Sequence, residues 1–429
     1  MLTLYENPGR EEWPALTERF VRREEEITEQ VEQLLARIRR EGDRALRAIT
    51  CEIEGRDAAT FEIPEEVCRQ AAAMVPEPLK EAIETARKNI EAFHRAQLPS
   101  EVVVETMPGV RCVQRAVPIR SVGLYIPGGK APLFSTVLML AVPARVAGCR
   151  EVALCTPARR DGSVAPEILY TATLCGVKRI FALGGAQAIG AMAYGTESVP
   201  KVDKIFGPGN RYVTRAKQLV GASDVAIDLP AGPSEVLVLA DDEAEPEFAA
   251  ADLLSQAEHG GDSQAILVCA SVEFARRVQT AVERQLQRLE RAEIAREALD
   301  ASRIIVLADR GERIAFAEAY APEHLIVAMR DPWEAAAEVP TAGSVFVGAW
   351  SPESAGDYAS GTNHTLPTGG WGRACSGVNT DAFLRRITYQ ELTREGLATL
   401  APTIIRMAEA EGLGAHAAAV RIRMEGGAR

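Results

Sequence analysis

The sequence predicts an α/β protein built on parallel sheets, and two observations carry that reading. From about Arg120 onward, short β-branched runs ending in Gly or Pro turns alternate with longer Ala/Leu/Arg stretches of helical spacing. The runs are continuously apolar rather than alternating, as expected of strands covered on both faces. A length of 429 residues allows two to four folding units at ~100–200 residues each.

Taken in order, the first ninety-odd residues read as a helical front end. Charge-rich helices are expected at Glu11 to Arg23 and Glu25 to Glu41, and Pro64-Glu65-Glu66 opens another. Strands are expected at Val122 to Ile126, Glu151 to Cys155, Arg179 to Leu183, Lys204 to Phe206 and Val225 to Leu229. Five more are expected at Val236 to Leu239, Ala265 to Cys269, Arg303 to Leu307, Leu325 to Met329 and Ser344 to Val347. Ser351 to Asn379 is a polar Gly/Ser/Thr/Asn/Pro stretch that holds Asp357, His364 and Trp371, and a long loop of that kind in a compact enzyme is usually functional. From about Thr380 the apolar residues fall at helical spacing with no strand signal, in a tail too narrow to hold a core alone.

Composition narrows the partners. A net charge of −12 without a dense basic block argues against nucleic acid and anionic membranes. The most apolar run, around Val137 to Val142, stops at Pro143 and Arg145, far short of the ~20 residues of a membrane span. The N-terminus lacks the basic start and apolar centre of a signal peptide, and the eight cysteines form no C-x-x-C pair. A cytoplasmic protein with reduced thiols is the expectation.

Four of the five histidines, His259, His324, His364 and His416, fall in the C-terminal part of the chain, three of them directly after or near acidic or amide residues. In Leu253-Leu254-Ser255-Gln256-Ala257-Glu258-His259-Gly260, Gln256 and His259 are three apart and share a helix face, so both can reach one cation. A helix ending at a capping Gly260 accounts for the same residues structurally. Pro322-Glu323-His324 sets a carboxyl and an imidazole side by side before a strand, where Pro322 can turn the backbone so that both face one site. Histidine is the natural base near neutral pH, and glutamate can activate water. Gly356-Asp357 and Gly361 to His364 form a loop able to wrap something small, with Asp357 an anionic ligand for a divalent ion. Glu411 and His416 close the tail. Three glycine turns, at Pro127-Gly128-Gly129, Gly184-Gly185-Ala186-Gln187 and Gly207-Pro208-Gly209-Asn210, present backbone N–H groups suited to phosphate, yet no G-x-G-x-x-G fingerprint accompanies them. Plain βα turns remain open for each.

Over nearly the whole chain these segments resemble histidinol dehydrogenase. The stretches that carry the likeness are Gly123-Leu124-Tyr125-Ile126-Pro127-Gly128-Gly129, Ile205-Phe206-Gly207-Pro208-Gly209-Asn210, Ala231-Gly232-Pro233-Ser234-Glu235, Ser255-Gln256-Ala257-Glu258-His259, Pro322-Glu323-His324 and Gly356 through His364. The resemblance implies two Rossmann-like, aldehyde-dehydrogenase-like parallel-sheet domains with N- and C-terminal helical arms. The implied borders are an arm at 1–25, a first domain at 26–124 plus 235–376, a second at 125–234, and a tail at 377–429. It implies an NAD-dependent alcohol and aldehyde dehydrogenase of histidine biosynthesis that takes L-histidinol through the aldehyde to L-histidine with two NAD. One Zn2+ per subunit would be held by Gln256, His259, Asp357 and His416. Glu323 and His324 would be the acid-base pair. Ser234, His364 and Glu411 would contact substrate beside the metal ligands and His324, and Tyr125, Gln187 and Asn210 would contact NAD. The family is a homodimer whose tail reaches the partner's site, which suits a thin tail carrying Glu411 and His416.

Three rivals differ in chemistry: a relative acting on another small alcohol, a zinc hydrolase in which Glu323 activates water, and a binding protein without activity. The substrate and catalytic positions are intact, which argues against the first and the last. A thiol route to the acid through Cys112 or Cys149 lacks a neighbouring base, so packing is the expected role of both.

Overall fold

In a computed structural model of the chain, residues 2–19, 25–128, 132–229 and 232–426 are described. Gly129, Ala231 and residues 20–23 of the first expected helix lie outside them. The chain divides into two units, Met1–Gln97 with Ile119–Phe383, and Leu98–Pro118 with Leu384–Arg429.

Continuous apolar runs become the central strands of the larger unit. In Glu235–Ala240 and Gln264–Cys269 every position is buried, so each strand needs cover on both faces and sits in the middle of a parallel sheet. That six-stranded sheet runs β1 (Thr3–Glu6), β11 (Arg303–Val306), β10 (Gln264–Cys269), β9 (Glu235–Ala240), β12 (His324–Ala328), β13 (Ser344–Val347), parallel throughout. A second parallel sheet runs β6 (Arg179–Ala182), β5 (Glu151–Thr156), β4 (Ser121–Tyr125), β7 (Lys204–Phe206), β8 (Ala226–Ile227). In this sheet the order reverses between β4 and β7, which opens a crevice at their carboxyl ends. Helices cover both sheets; Gly185–Tyr194 packs Ala188, Ile189, Ala191 and Met192 against Leu35 and Ile38 of Glu25–Glu41 in one apolar cluster.

All ten expected strands are present, and Glu25–Glu41 and Glu65–Met74 are helices, the latter entered through Pro64. Four strands were not expected. β1 has only four residues and pairs with β11, about three hundred positions away. The smaller unit holds the other three, an antiparallel sheet ordered β14 (Leu384–Leu392), β3 (Val110–Pro118), β2 (Val102–Met107). The tail is therefore a nine-residue strand followed by helices Arg394–Ala410 and Gly414–Glu425, because Leu384-Arg-Arg-Ile-Thr-Tyr-Gln-Glu-Leu392 is too charged and exposed to read as a core strand. Of the first expected helix only Trp13–Leu16 forms among the described residues.

Candidate active site

The catalytic candidates gather where the six-stranded sheet begins. Helix Arg310–Tyr320 ends at Ala321, which takes the left-handed conformation with φ 50° and ψ 69°. A non-glycine residue there stores strain of about 1–3 kcal/mol, tolerated where the surroundings fix it. After that turn Glu323 and His324 reach the same place. Glu323 Oε2 accepts the Glu235 N–H at 2.8 Å, and His324 Nδ1 lies 3.1 Å from the Glu235 carbonyl. One residue of the neighbouring strand thus fixes both side chains through its backbone. Glu235 is itself braced, its carboxylate held by Arg19 at 3.0 Å and by the Gly369 N–H at 2.7 Å.

With Nδ1–H donated to a carbonyl, the neutral imidazole keeps its lone pair on Nε2. Nε2 has no hydrogen-bond partner among the described residues and faces Asp357 Oδ1 at 3.5 Å. Burial opposes a charge on His324, whereas Glu353, Glu323 and Asp357 pull its pKa upward; a cation held by Asp357 would oppose that pull and favour the neutral imidazole that a base requires. Burial pushes Glu323 up to about 8. Burial also works against the charge of Asp357, but His324 beside it keeps that carboxyl below its usual range.

Asp357 stands on a helix, Glu353–Tyr358, rather than in the expected loop. Gly356 is required there, since a Cβ would lie 2.7 Å from the Phe346 ring. His364 Nδ1 lies 2.9 Å from the Asp357 carbonyl and its Nε2 3.2 Å from Thr136 Oγ1. Gln256 closes the turn of helix Pro246–Ala257 nearest the site, and His259 follows two residues past the helix end. Glu258 caps that helix, and Gly260 is not among the residues with positive φ. Gln256 Nε2 and His259 Nδ1 are 3.2 Å apart, and Asp357 feels the charge of both His259 and His324.

These donors fit a divalent cation. Gln256 is fully buried, yet its Oε1 has no hydrogen-bond partner, the condition of an acceptor waiting for something positive. His324, Glu353 and Asp357 also place ligand atoms within 4.8 Å of one another.

Sequence reading missed Glu353. It is 1% exposed, neither carboxylate oxygen has a hydrogen-bond partner, and Oε1 lies 3.9 Å from His324 Nδ1. Burial raises its pKa to about 8. The available signal was its place one helical turn before Asp357. His94, fully buried and in contact with Ile90 O, approaches Asn363 at 3.4 Å and helps seat the loop that carries His364.

A cavity of about 710 Å³ is lined by His259, Ser234 and Glu235 on one side and by Gly209, Asn210 and Thr214 on the other. It connects the start of the six-stranded sheet with the turn after β7. Asn210 is exposed, and its Oδ1 accepts from the N–H groups of Tyr212 and Val213, capping helix Arg211–Gly221. Tyr125 and Gln187 do not line this cavity. Both are buried, Tyr125 with its hydroxyl accepting the Gly185 N–H at 3.1 Å and Gln187 bonded to Glu54 at 3.2 Å. Glu411 and His416 belong to the smaller unit, exposed on either side of the turn between its two helices.

Comparison with known proteins decides the family. The histidinol dehydrogenase profile matches residues 17–424. The chain belongs to the histidinol dehydrogenase family. A histidinol dehydrogenase of Bacteroides fragilis is 52% identical over 424 residues, covering 99% of each chain. That of Escherichia coli K12 is 54% identical over 402 residues, 93% of this chain and 92% of the relative. A crystal structure of histidinol dehydrogenase from Elizabethkingia anophelis superposes with a TM-score of 0.96 at 49% identity, covering 99% of this chain and 98% of that one. Membership makes the chain an oxidoreductase of histidine biosynthesis. No helix among the described residues is long and apolar enough to cross a membrane.

Proposed function

We propose that the chain oxidises L-histidinol to L-histidine in two NAD-dependent steps at a zinc site. The observation that carries this reading is the convergence of Gln256, His259, Asp357 and the Glu323–His324 pair beside a cavity that extends to the Asn210 turn. Gln256, His259 and Asp357 would be three protein ligands to zinc. A fourth, His416, would come with Glu411 from the tail of a second copy in a homodimer, a role open to exposed side chains. Zinc held by these residues would supply Lewis-acid binding of the substrate's nitrogens and so help to orient the alcohol for oxidation. NAD would supply the hydride acceptor; of the contacts that the family resemblance implies, Asn210 faces the cavity, while Tyr125 and Gln187 would act from the buried wall behind the Gly185 turn.

In the first step His324 Nε2 takes the hydroxyl proton as the carbinol hydride leaves, giving the aldehyde. Glu323 then draws a proton from a water that adds to the aldehyde, giving the hydrate. His324 takes a hydroxyl proton a second time as the hydrate loses its hydride to a second NAD, leaving the acid. One alcohol, one water and two NAD thus give one acid, two NADH and two protons. Ser234, His364 and Glu411 would hold the substrate during both passes. The setting of eight free cysteines and no spanning helix among the described residues suits the cytoplasm.

The test is the yield of NADH per histidinol consumed, with and without chelator. Two NADH per substrate, abolished by chelation and restored by zinc, is the expected result. A yield of one, or a rate indifferent to chelation, would overturn the reading, and turnover without NADH would replace it with a hydrolase.

No thiol step is required. Burial pushes the Cys149 thiol up to about 12, and its Sγ contacts the Phe383 carbonyl at 3.9 Å. Cys112 lies in β3, opposite Gln390 and Val104. Cys149→Ala is expected to keep both oxidations, read as an unchanged NADH yield; arrest at the aldehyde would reinstate the thiol.

A further inference from the structure

The five-stranded sheet contains a buried ion pair with no part in the steps above. Lys217, on helix Arg211–Gly221, and Asp228, just past β8, have side chains 5% and 0% exposed and meet at 2.5 Å. Desolvating two charges costs about as much as their attraction returns, so an apolar pair of the same volume would serve folding equally well. An apolar pair could not hold Gly207. Lys217 Nζ donates to the Gly207 carbonyl at 2.8 Å, and Asp228 Oδ2 accepts the Gly207 N–H at 2.7 Å. The other carboxylate oxygen accepts the Leu229 N–H at 2.7 Å.

Gly207 is the first residue after β7. Its φ is +122°, and a Cβ would stand 2.1 Å from the Tyr125 carbonyl oxygen. Packed on one side by β4 and bonded on the other by both charges, its backbone has nowhere to move. Only Pro208 and Gly209 separate it from Asn210, and Gly209 is pressed on Val213, where a Cβ would come within 2.4 Å. Pinning Gly207 therefore sets where Asn210 stands on the cavity wall. Lys217 sits on the helix that Asn210 caps, so the pair ties the strand end, the turn and the helix into one piece.

We infer that Lys217 and Asp228 are positioning residues for the dinucleotide, holding the Gly207–Asn210 turn at the height where it meets NAD. This rests on the dehydrogenase reading, and specifically on Asn210 facing NAD. Neither side chain touches the cavity. Their effect should appear in NAD binding and not in metal or histidinol binding.

The test uses zinc-loaded Lys217→Met and the double variant Lys217→Met/Asp228→Asn. The double variant leaves no unpaired buried charge and keeps an acceptor for the Gly207 N–H, so it stays measurable where the single variant fails to fold. Loss of a charge-assisted hydrogen bond to Gly207 is expected to raise the KM for NAD by about tenfold and to weaken NADH binding, followed by fluorescence, to a similar extent. Zinc content and the KM for histidinol should stay within about twofold of wild type, as for sites without shared partners. A soluble double variant with unchanged NADH affinity and only a lower Tm would overturn the inference alone. Wild-type enzyme that binds no NADH would sink the dehydrogenase reading and the inference with it.

Discussion

His324→Asn should lower kcat by about 10³-fold, the contribution expected of a positioned proton acceptor, while zinc content stays that of wild type. Asparagine is chosen because its amide can still donate to the Glu235 carbonyl, so the change removes the lone pair on Nε2 more than the packing. The site is 3% exposed at His324, which leaves little room for bulk water to substitute as base. Both hydride transfers draw on the same imidazole, so neither NADH should appear at the normal rate in a single turnover followed by absorbance. A variant with kcat within tenfold of wild type would take His324 out of proton transfer and point to Glu323 or Glu353, which with Asp357 are the carboxyl groups within 4 Å of it.

The dependence of this prediction on backbone detail explains what the sequence could reveal. Parallel core strands are legible because burial on both faces demands unbroken apolar runs, as in Val236 to Ala240. β14 obeys a weaker rule. Its Arg385, Arg386, Gln390 and Glu391 are tolerated because one strand of a three-stranded sheet can face water, and in sequence such a segment reads like the helices that follow it. β1 is invisible for another reason, since four residues paired with a strand three hundred positions away leave no local pattern.

The same division runs through the site. Gln256 with His259, and Glu323 with His324, stand close in sequence, so their shared destination could be argued from helix and strand geometry. Glu353 looks like an ordinary acidic residue in a first helical turn after Pro352, and only the fold brings it beside His324. The strained Ala321 was equally hidden: nothing about an alanine announces φ 50°, yet that turn delivers the acid-base pair.

The largest loss should come from His259→Ala. His259 lies past the end of its helix, held by its N–H to the Gln256 carbonyl at 3.2 Å, so its side chain can change without breaking the ladder of Pro246–Ala257. Disturbing groups that merely orient a metal ligand already costs about 10–100-fold in affinity, so removing a ligand outright should cost at least the upper figure. The purified variant is therefore expected to carry almost no zinc and to form no measurable NADH from histidinol. NADH binding should persist, because Lys217, Asp228 and the Gly207 turn are untouched. High added zinc should restore part of the rate, since Gln256 Oε1 and Asp357 remain in place. Zinc content by elemental analysis separates the explanations: one zinc per chain in an inactive variant would mean that His259 meets the substrate and that the cation is held elsewhere, with His324, Glu353 and Asp357 the group to examine next.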